Sequence, residues 1–212
     1  LIVPVQAQDD DPIINGDDPP LPTAQPDAPP STESDTPVIS MDVTAPDNGA
    51  SLVEVEATDG LPLVGEFFPA YGGDGRTVLL LHQLYTARAS WYPQVEPLRG
   101  AGFHVLAVDL RGYGATGGLL NWPQAEDDTL TWLAWLATQD GIRADAVFTL
   151  GTSMGSNLAI NGCAAFDGCA GTVALSPGRN YFGVQTSDAL MMGKPTLIIY
   201  AERDHYPRRD VP

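Results

Sequence analysis

An α/β fold, a mostly parallel sheet with helices on both faces and a β-hairpin at its start, is what this 212-residue sequence predicts. Three observations carry the prediction. Short continuous apolar runs recur, as expected for strands buried on both faces of a parallel sheet. Segments with apolar residues at helical spacing lie between them. The first strand pair instead alternates apolar and acidic residues, the pattern of a hairpin with one solvated face.

Taken in order, Leu-Val-Glu-Val-Glu-Ala from Leu52 alternates, Asp59-Gly60 turns, and Leu61 to Phe68 returns. Thr77 to Leu81 is the first buried strand. Trp91, Val95 and Leu98 then share a helical face that stops at Gly100. Phe103 to Asp109 is the next strand, followed by the glycine-rich loop Leu-Arg-Gly-Tyr-Gly-Ala-Thr-Gly-Gly. A helix is expected next, with Pro123 near its start, Glu126, Asp127 and Asp128 in its first turns, and Leu130, Leu133, Ala134 and Ala137 along one face. Ala146 to Leu150 is a strand, Met154 to Phe166 a helix, and Gly171 to Leu175 and Pro195 to Tyr200 are strands. Strands alternating with helices imply βαβ units with right-handed crossovers. Ligands of such sheets bind beyond the carboxyl ends of the strands.

Residues 1–48 differ from residues 49–212, which are expected to form the domain. They hold ten of the 19 prolines and ten acidic residues, with no Lys or Arg. A stretch so poor in large apolar residues cannot offset the entropy of ordering, so a disordered acidic linker is expected. Leu1 to Ala7 reads as the end of a signal peptide, with Val5-Gln6-Ala7 at cleavage-site spacing. A secreted or cell-surface protein is the expectation, with the acidic linker available as a surface tether. The net charge of −17 argues against nucleic acid as a partner. The two cysteines, Cys163 and Cys169, are expected to form a disulfide rather than remain as buried thiols. With no His or further Cys placed beside them, no metal site is expected, and no cofactor.

The chemistry concentrates in Gly151-Thr152-Ser153-Met154-Gly155, directly after one apolar strand and directly before a helix. A strand-to-helix turn this tight strains the backbone at the serine, and glycines two residues either side leave room for it. The hydroxyl is then presented above the sheet. The helix N-terminus and the Met154 N–H favour a developing negative charge. Ser153 is thus the candidate nucleophile.

From about residue 51 to 212 the order of these segments resembles the α/β-hydrolase family. Leu79-Leu-Leu-His82-Gln83 is similar to that family's strand ending in His-Gly, and the match implies the Leu84 N–H as second oxyanion donor; Gln83 departs from the glycine. Asp109-Leu-Arg111-Gly-Tyr-Gly-Ala-Thr is similar to the family's D-x-R-G-x-G-x-S segment, where Asp109 and Arg111 are expected to be structural. Tyr200-Ala-Glu-Arg-Asp204 resembles the late strand and its acid, so the resemblance implies Asp204 as the residue that orients the histidine, with Glu202 its competitor.

The resemblance also requires a histidine well after the acid. The sequence has three histidines: His82 on the oxyanion strand, His104 within a strand, and His205 beside Asp204, poorly placed to be oriented by it. The expectation is therefore a chain lacking the last strand and the histidine loop, and a poor enzyme in this form. The stretch Pro177 to Gly193 is too short for a full cap domain, which implies an open site like that of lid-poor esterases and dienelactone-hydrolase-like proteins. Tyr85, Trp122 and Tyr181 are candidates to line an apolar acyl pocket. The implied activity is hydrolysis of a small-molecule carboxylic ester through an acyl-enzyme on Ser153. A peptidase or thioesterase of the same fold, or a non-catalytic binding protein that retains it, are the alternatives.

Overall fold

The structure, a computed structural model, describes residues 49–201 and the backbone of residues 2–5. The strands are β1 (Ile2–Val5), β2 (Ser51–Glu56), β3 (Pro62–Phe68), β4 (Thr77–Leu81), β5 (His104–Val108), β6 (Val147–Thr152), β7 (Cys169–Leu175), β8 (Asn180–Tyr181), β9 (Val184–Gln185) and β10 (Thr196–Ala201). The helices are α1 (Tyr92–Gly100), preceded by a 3-10 turn at Arg88–Trp91, α2 (Trp122–Ala137), α3 (Met154–Ala165) and α4 (Ser187–Met191).

Eight strands form one sheet in the order β1-β10-β7-β6-β4-β5-β3-β2. The hairpin β2–β3 is antiparallel, and β3 joins β5 antiparallel. From β5 to β1 every pairing is parallel. The β4 run Thr-Val-Leu-Leu-Leu is wholly buried because each of its faces is covered. Leu79 and Leu81 join Leu106, Trp132, Leu133, Leu136 and Leu158 on the α2 and α3 side. Val78 and Leu80 join Trp91, Val95, Val105 and Ala107 on the α1 side.

Three features differ from the sequence expectation. The backbone of Ile2–Val5, set apart from the domain in the sequence, runs parallel to β10 at the sheet edge, with Ile2 opposite Ile198. An edge strand tolerates Pro4, which has no N–H to give to a ladder. On α2 the buried face carries Trp132 and Leu136 with Leu133, whereas Ala134 is exposed. Two large side chains bury far more apolar area than two alanines, so they set the rotation of the helix. Asp128, expected among first-turn acids, is instead a buried partner of Arg111.

Among the described residues no helix is long and apolar enough to cross a membrane. Cys163 on α3 and Cys169 at the start of β7 form a disulfide, as expected.

Candidate active site

Parallel strands place all their carboxyl ends at one edge of the sheet, and His82, Asp109 and Ser153 directly follow β4, β5 and β6 there. Ser153 follows β6 and caps α3 with φ 51° and ψ −121°, a conformation that costs a non-glycine residue on the order of 1–3 kcal/mol. Its amide donates to Leu175 O at 2.8 Å, and its carbonyl accepts from Ser156 N at 2.9 Å and from the Ser156 hydroxyl. The Ser153 hydroxyl is not used to cap the helix. Ser153 is partly exposed, while Met154 to Asn157 are buried.

Both flanking glycines are sterically required. A Cβ on Gly151 would stand 2.0 Å from Gly155 O, and one on Gly155 would stand 2.3 Å from Leu81 O and 2.5 Å from His82 O. The second pair of distances also shows how closely α3 sits on the end of β4. The loop that leaves β4 therefore lies directly beside the serine turn.

That loop, His82 to Thr86, is held by His82 and Thr86 themselves. His82 is fully buried, accepts Leu110 N at Nε2 (3.0 Å), and has Nδ1 2.7 Å from Gln83 O. An amide N–H at Nε2 requires a bare nitrogen there, so Nδ1 carries the proton and donates to Gln83 O. Burial holds the imidazole below its usual pKa, consistent with a neutral ring. The Thr86 hydroxyl donates to the same Gln83 O at 2.9 Å. Gln83, where a glycine was expected, has no left-handed backbone; the positive φ of 60° falls on Tyr85. Tyr113 packs edge-on against His82 (5.3 Å, 84°). Neither the Leu84 N–H nor the Met154 N–H donates to another described residue.

Asp109 and Arg111 are structural, as expected. Asp109 is fully buried and accepts from Arg88 N, the Arg88 guanidinium and Ala115 N, tying β5 to the segment before α1 and to its own loop. A Cβ on Gly114 would stand 2.2 Å from its carboxyl carbon, so that loop position is closed to other residues. Arg111 pairs with Asp128 (2.7 and 2.9 Å) and with Asp59 (2.7 and 3.0 Å), and both carboxylates raise its pKa. A small, partly open cavity beside this pair is lined by Arg111 and Asp128 themselves and by Leu63, Leu110, Ala125 and Trp132, and not by Ser153.

The pocket candidates separate. Tyr85 is 75% exposed. Trp122 is buried and stacks on the exposed Phe182 (5.7 Å, 18°). Tyr181 is half-buried, with its hydroxyl toward Ser176 O at 3.4 Å. In place of a cap stand only the β8–β9 hairpin and the one-turn α4. Asn157, missed in the sequence, fixes that hairpin: it is fully buried, donates to Val184 O (2.9 Å) and accepts from Gly178 N (3.0 Å).

Two histidines are removed as bases by position. Both ring nitrogens of His82 are occupied. His104 opens β5 level with Val147 in the adjoining ladders, roughly 20 Å of strand from Ser153. It accepts Ala70 N and stacks on Phe67, the satisfied strand residue expected. Asp204, Glu202 and His205 lie outside the described residues. Among the described residues no three His, Cys, Asp or Glu side chains group as metal ligands.

The architecture and the serine turn together define a class. Residues 76–177 match the model of the α/β hydrolase fold family. Two uncharacterised proteins, from two strains of Mycobacterium tuberculosis, are 31% identical over 109 residues, covering 51% of this chain and 39% of each relative. Among solved structures, the Pyrococcus furiosus esterase Pf2001 is 27% identical with a TM-score of 0.56, over 60% of this chain and 52% of that one. A 2,6-dihydroxy-pseudo-oxynicotine hydrolase aligns with a TM-score of 0.64 at 19% identity, over 70% of this chain and 52% of that one, and shares the fold. The domain has the α/β-hydrolase fold, and nearly half of the chain matches that family's model. The chain spans about two fifths of the length of the curated relatives it matches and about half of these two structures.

Proposed function

We propose that the protein is a serine hydrolase that cleaves a carboxylic ester through an acyl-enzyme on Ser153. The observation that carries this reading is the strained serine, φ 51° and ψ −121°, between two glycines whose Cβ positions are blocked by backbone. Strain maintained at such steric cost marks a position where presentation of the side chain matters. Attack of the Ser153 hydroxyl on an ester carbonyl places negative charge on the carbonyl oxygen. The Met154 and Leu84 amides are the donors for that oxygen. The proton of the hydroxyl passes to a histidine oriented by Asp204, and that histidine returns it to the leaving alcohol.

The histidine is neither His82 nor His104, so His205 or a residue outside these 212 fills the role. The likeness to an esterase at 27% identity supports an ester as substrate, and the small hairpin in place of a cap supports an open site. Export to the cell surface, with residues 8–47 as an acidic tether, completes the proposal; the disulfide suits an oxidising compartment.

The test is turnover of p-nitrophenyl esters by the full-length protein. Ser153→Ala lowers kcat by about 10⁴-fold or more, and Asp204→Asn lowers it by orders of magnitude, with melting temperatures near that of the parent. Turnover by Ser153→Ala at the parental rate contradicts the assignment.

A further inference from the structure

We propose that Thr86 is a positioning residue for the second oxyanion donor, acting by fixing the plane of the Gln83–Leu84 peptide; the inference rests on Ser153 being the nucleophile. The Gln83 carbonyl and the Leu84 N–H belong to one planar trans peptide, so they point in opposite directions and turn together. Gln83 O is held by two donors, His82 Nδ1–H at 2.7 Å and the Thr86 hydroxyl at 2.9 Å. Holding the oxygen from that side commits the Leu84 N–H to the other. That N–H donates to no described residue, and its loop packs against the serine turn where Gly155 meets Leu81 O and His82 O.

The device has a reason in the sequence. A glycine at position 83 would leave the peptide free to turn; with Gln83 in an ordinary backbone region and the left-handed residue displaced to Tyr85, the plane is set by hydrogen bonds. Thr86 is half-buried, and among the described residues its side chain has, besides Gln83 O, no other close polar partner than His82 Nδ1 at 3.4 Å. The free energy of its hydroxyl therefore goes into the orientation of this peptide.

Thr86→Val keeps the side-chain shape and removes the donor, whereas His82 is unsuited to the test because Leu110 N also depends on it. In the full-length protein, Thr86→Val lowers kcat for p-nitrophenyl acetate and the rate of fluorophosphonate labelling by about tenfold or more, as removal of an oxyanion donor does. KM and melting temperature stay near parental values, and Thr86→Ser restores the rate. In parallel, the ¹⁵N–¹H resonance of Leu84 moves in Thr86→Val and returns in Thr86→Ser. Parental kcat and labelling in Thr86→Val, or an unmoved Leu84 resonance, overturns the proposal. Should the parent itself neither turn over nor label, the nucleophile assignment fails, and the Leu84 resonance alone decides whether Thr86 orients the peptide.

Discussion

Ser153 occupies a backbone region that side chains avoid, and the chain supports it through particular neighbours: the Leu175 carbonyl, the Ser156 amide and two glycines with no room for a methyl group. Gly155→Ala tests that support. Its new Cβ would collide with two backbone carbonyls rather than a flexible side chain, so a destabilisation of about 3 kcal/mol is expected in chemical unfolding. Wild-type stability would mean that the turn is looser than described. The strained serine and its two glycines were legible in the sequence because a strand-to-helix turn of this tightness accepts few residue patterns. Thr86 and Asn157 were not legible. Each acts through bonds to main-chain atoms, Gln83 O in one case and Val184 O and Gly178 N in the other, which leave no pattern in the residue types around them.

At the level of elements, the parallel strands were readable because burial on both faces removes the polar half of the pattern. β4 illustrates this, with Leu79 and Leu81 facing one helix layer and Val78 and Leu80 the other. The β8–β9 hairpin and α4 were not readable, since two-residue strands and a five-residue helix have too few positions to show a period. On α2 the expected face of Leu130, Leu133, Ala134 and Ala137 shares only Leu133 with the fully buried residues, because Trp132 and Leu136 bury far more apolar area than the alanines. The carboxyl end of α3 carries two ties to the chain beyond it. One is the Cys163–Cys169 disulfide, and the other is Lys194, whose ammonium donates to the Phe166, Asp167 and Cys169 carbonyls. Replacing both cysteines by alanine removes a short covalent loop worth about 2 kcal/mol. Thermal unfolding should then fall by several degrees, while the Ser153 end of α3, more than two turns away, retains its geometry. An unchanged melting temperature would show that the lysine and the packing suffice.

On the scale of the molecule, the sheet order brings the ends of β4, β5, β6 and β7 to one edge, so residues far apart in sequence meet around one serine. The strong negative charge lies partly in residues 1–48, which carry ten acidic residues and no basic one. The histidine is the part of the site that residues 49–201 do not supply. His82 serves the loop beside the serine, and His104 stands at the far end of the sheet. The fold could be derived from the sequence more fully than the catalytic set, because burial writes a repeating pattern along every strand whereas a triad is assembled from single residues on separate loops. The proposed hydrolysis depends above all on Ser153 being an activated nucleophile. Its most direct test is reaction of the full-length protein with a fluorophosphonate, followed by peptide mapping of the adduct by tandem mass spectrometry. One phosphonylated peptide is expected, modified at Ser153, and no labelling of Ser153→Ala. An adduct on another residue with Ser153 unmodified, or undiminished labelling of the variant, would contradict it.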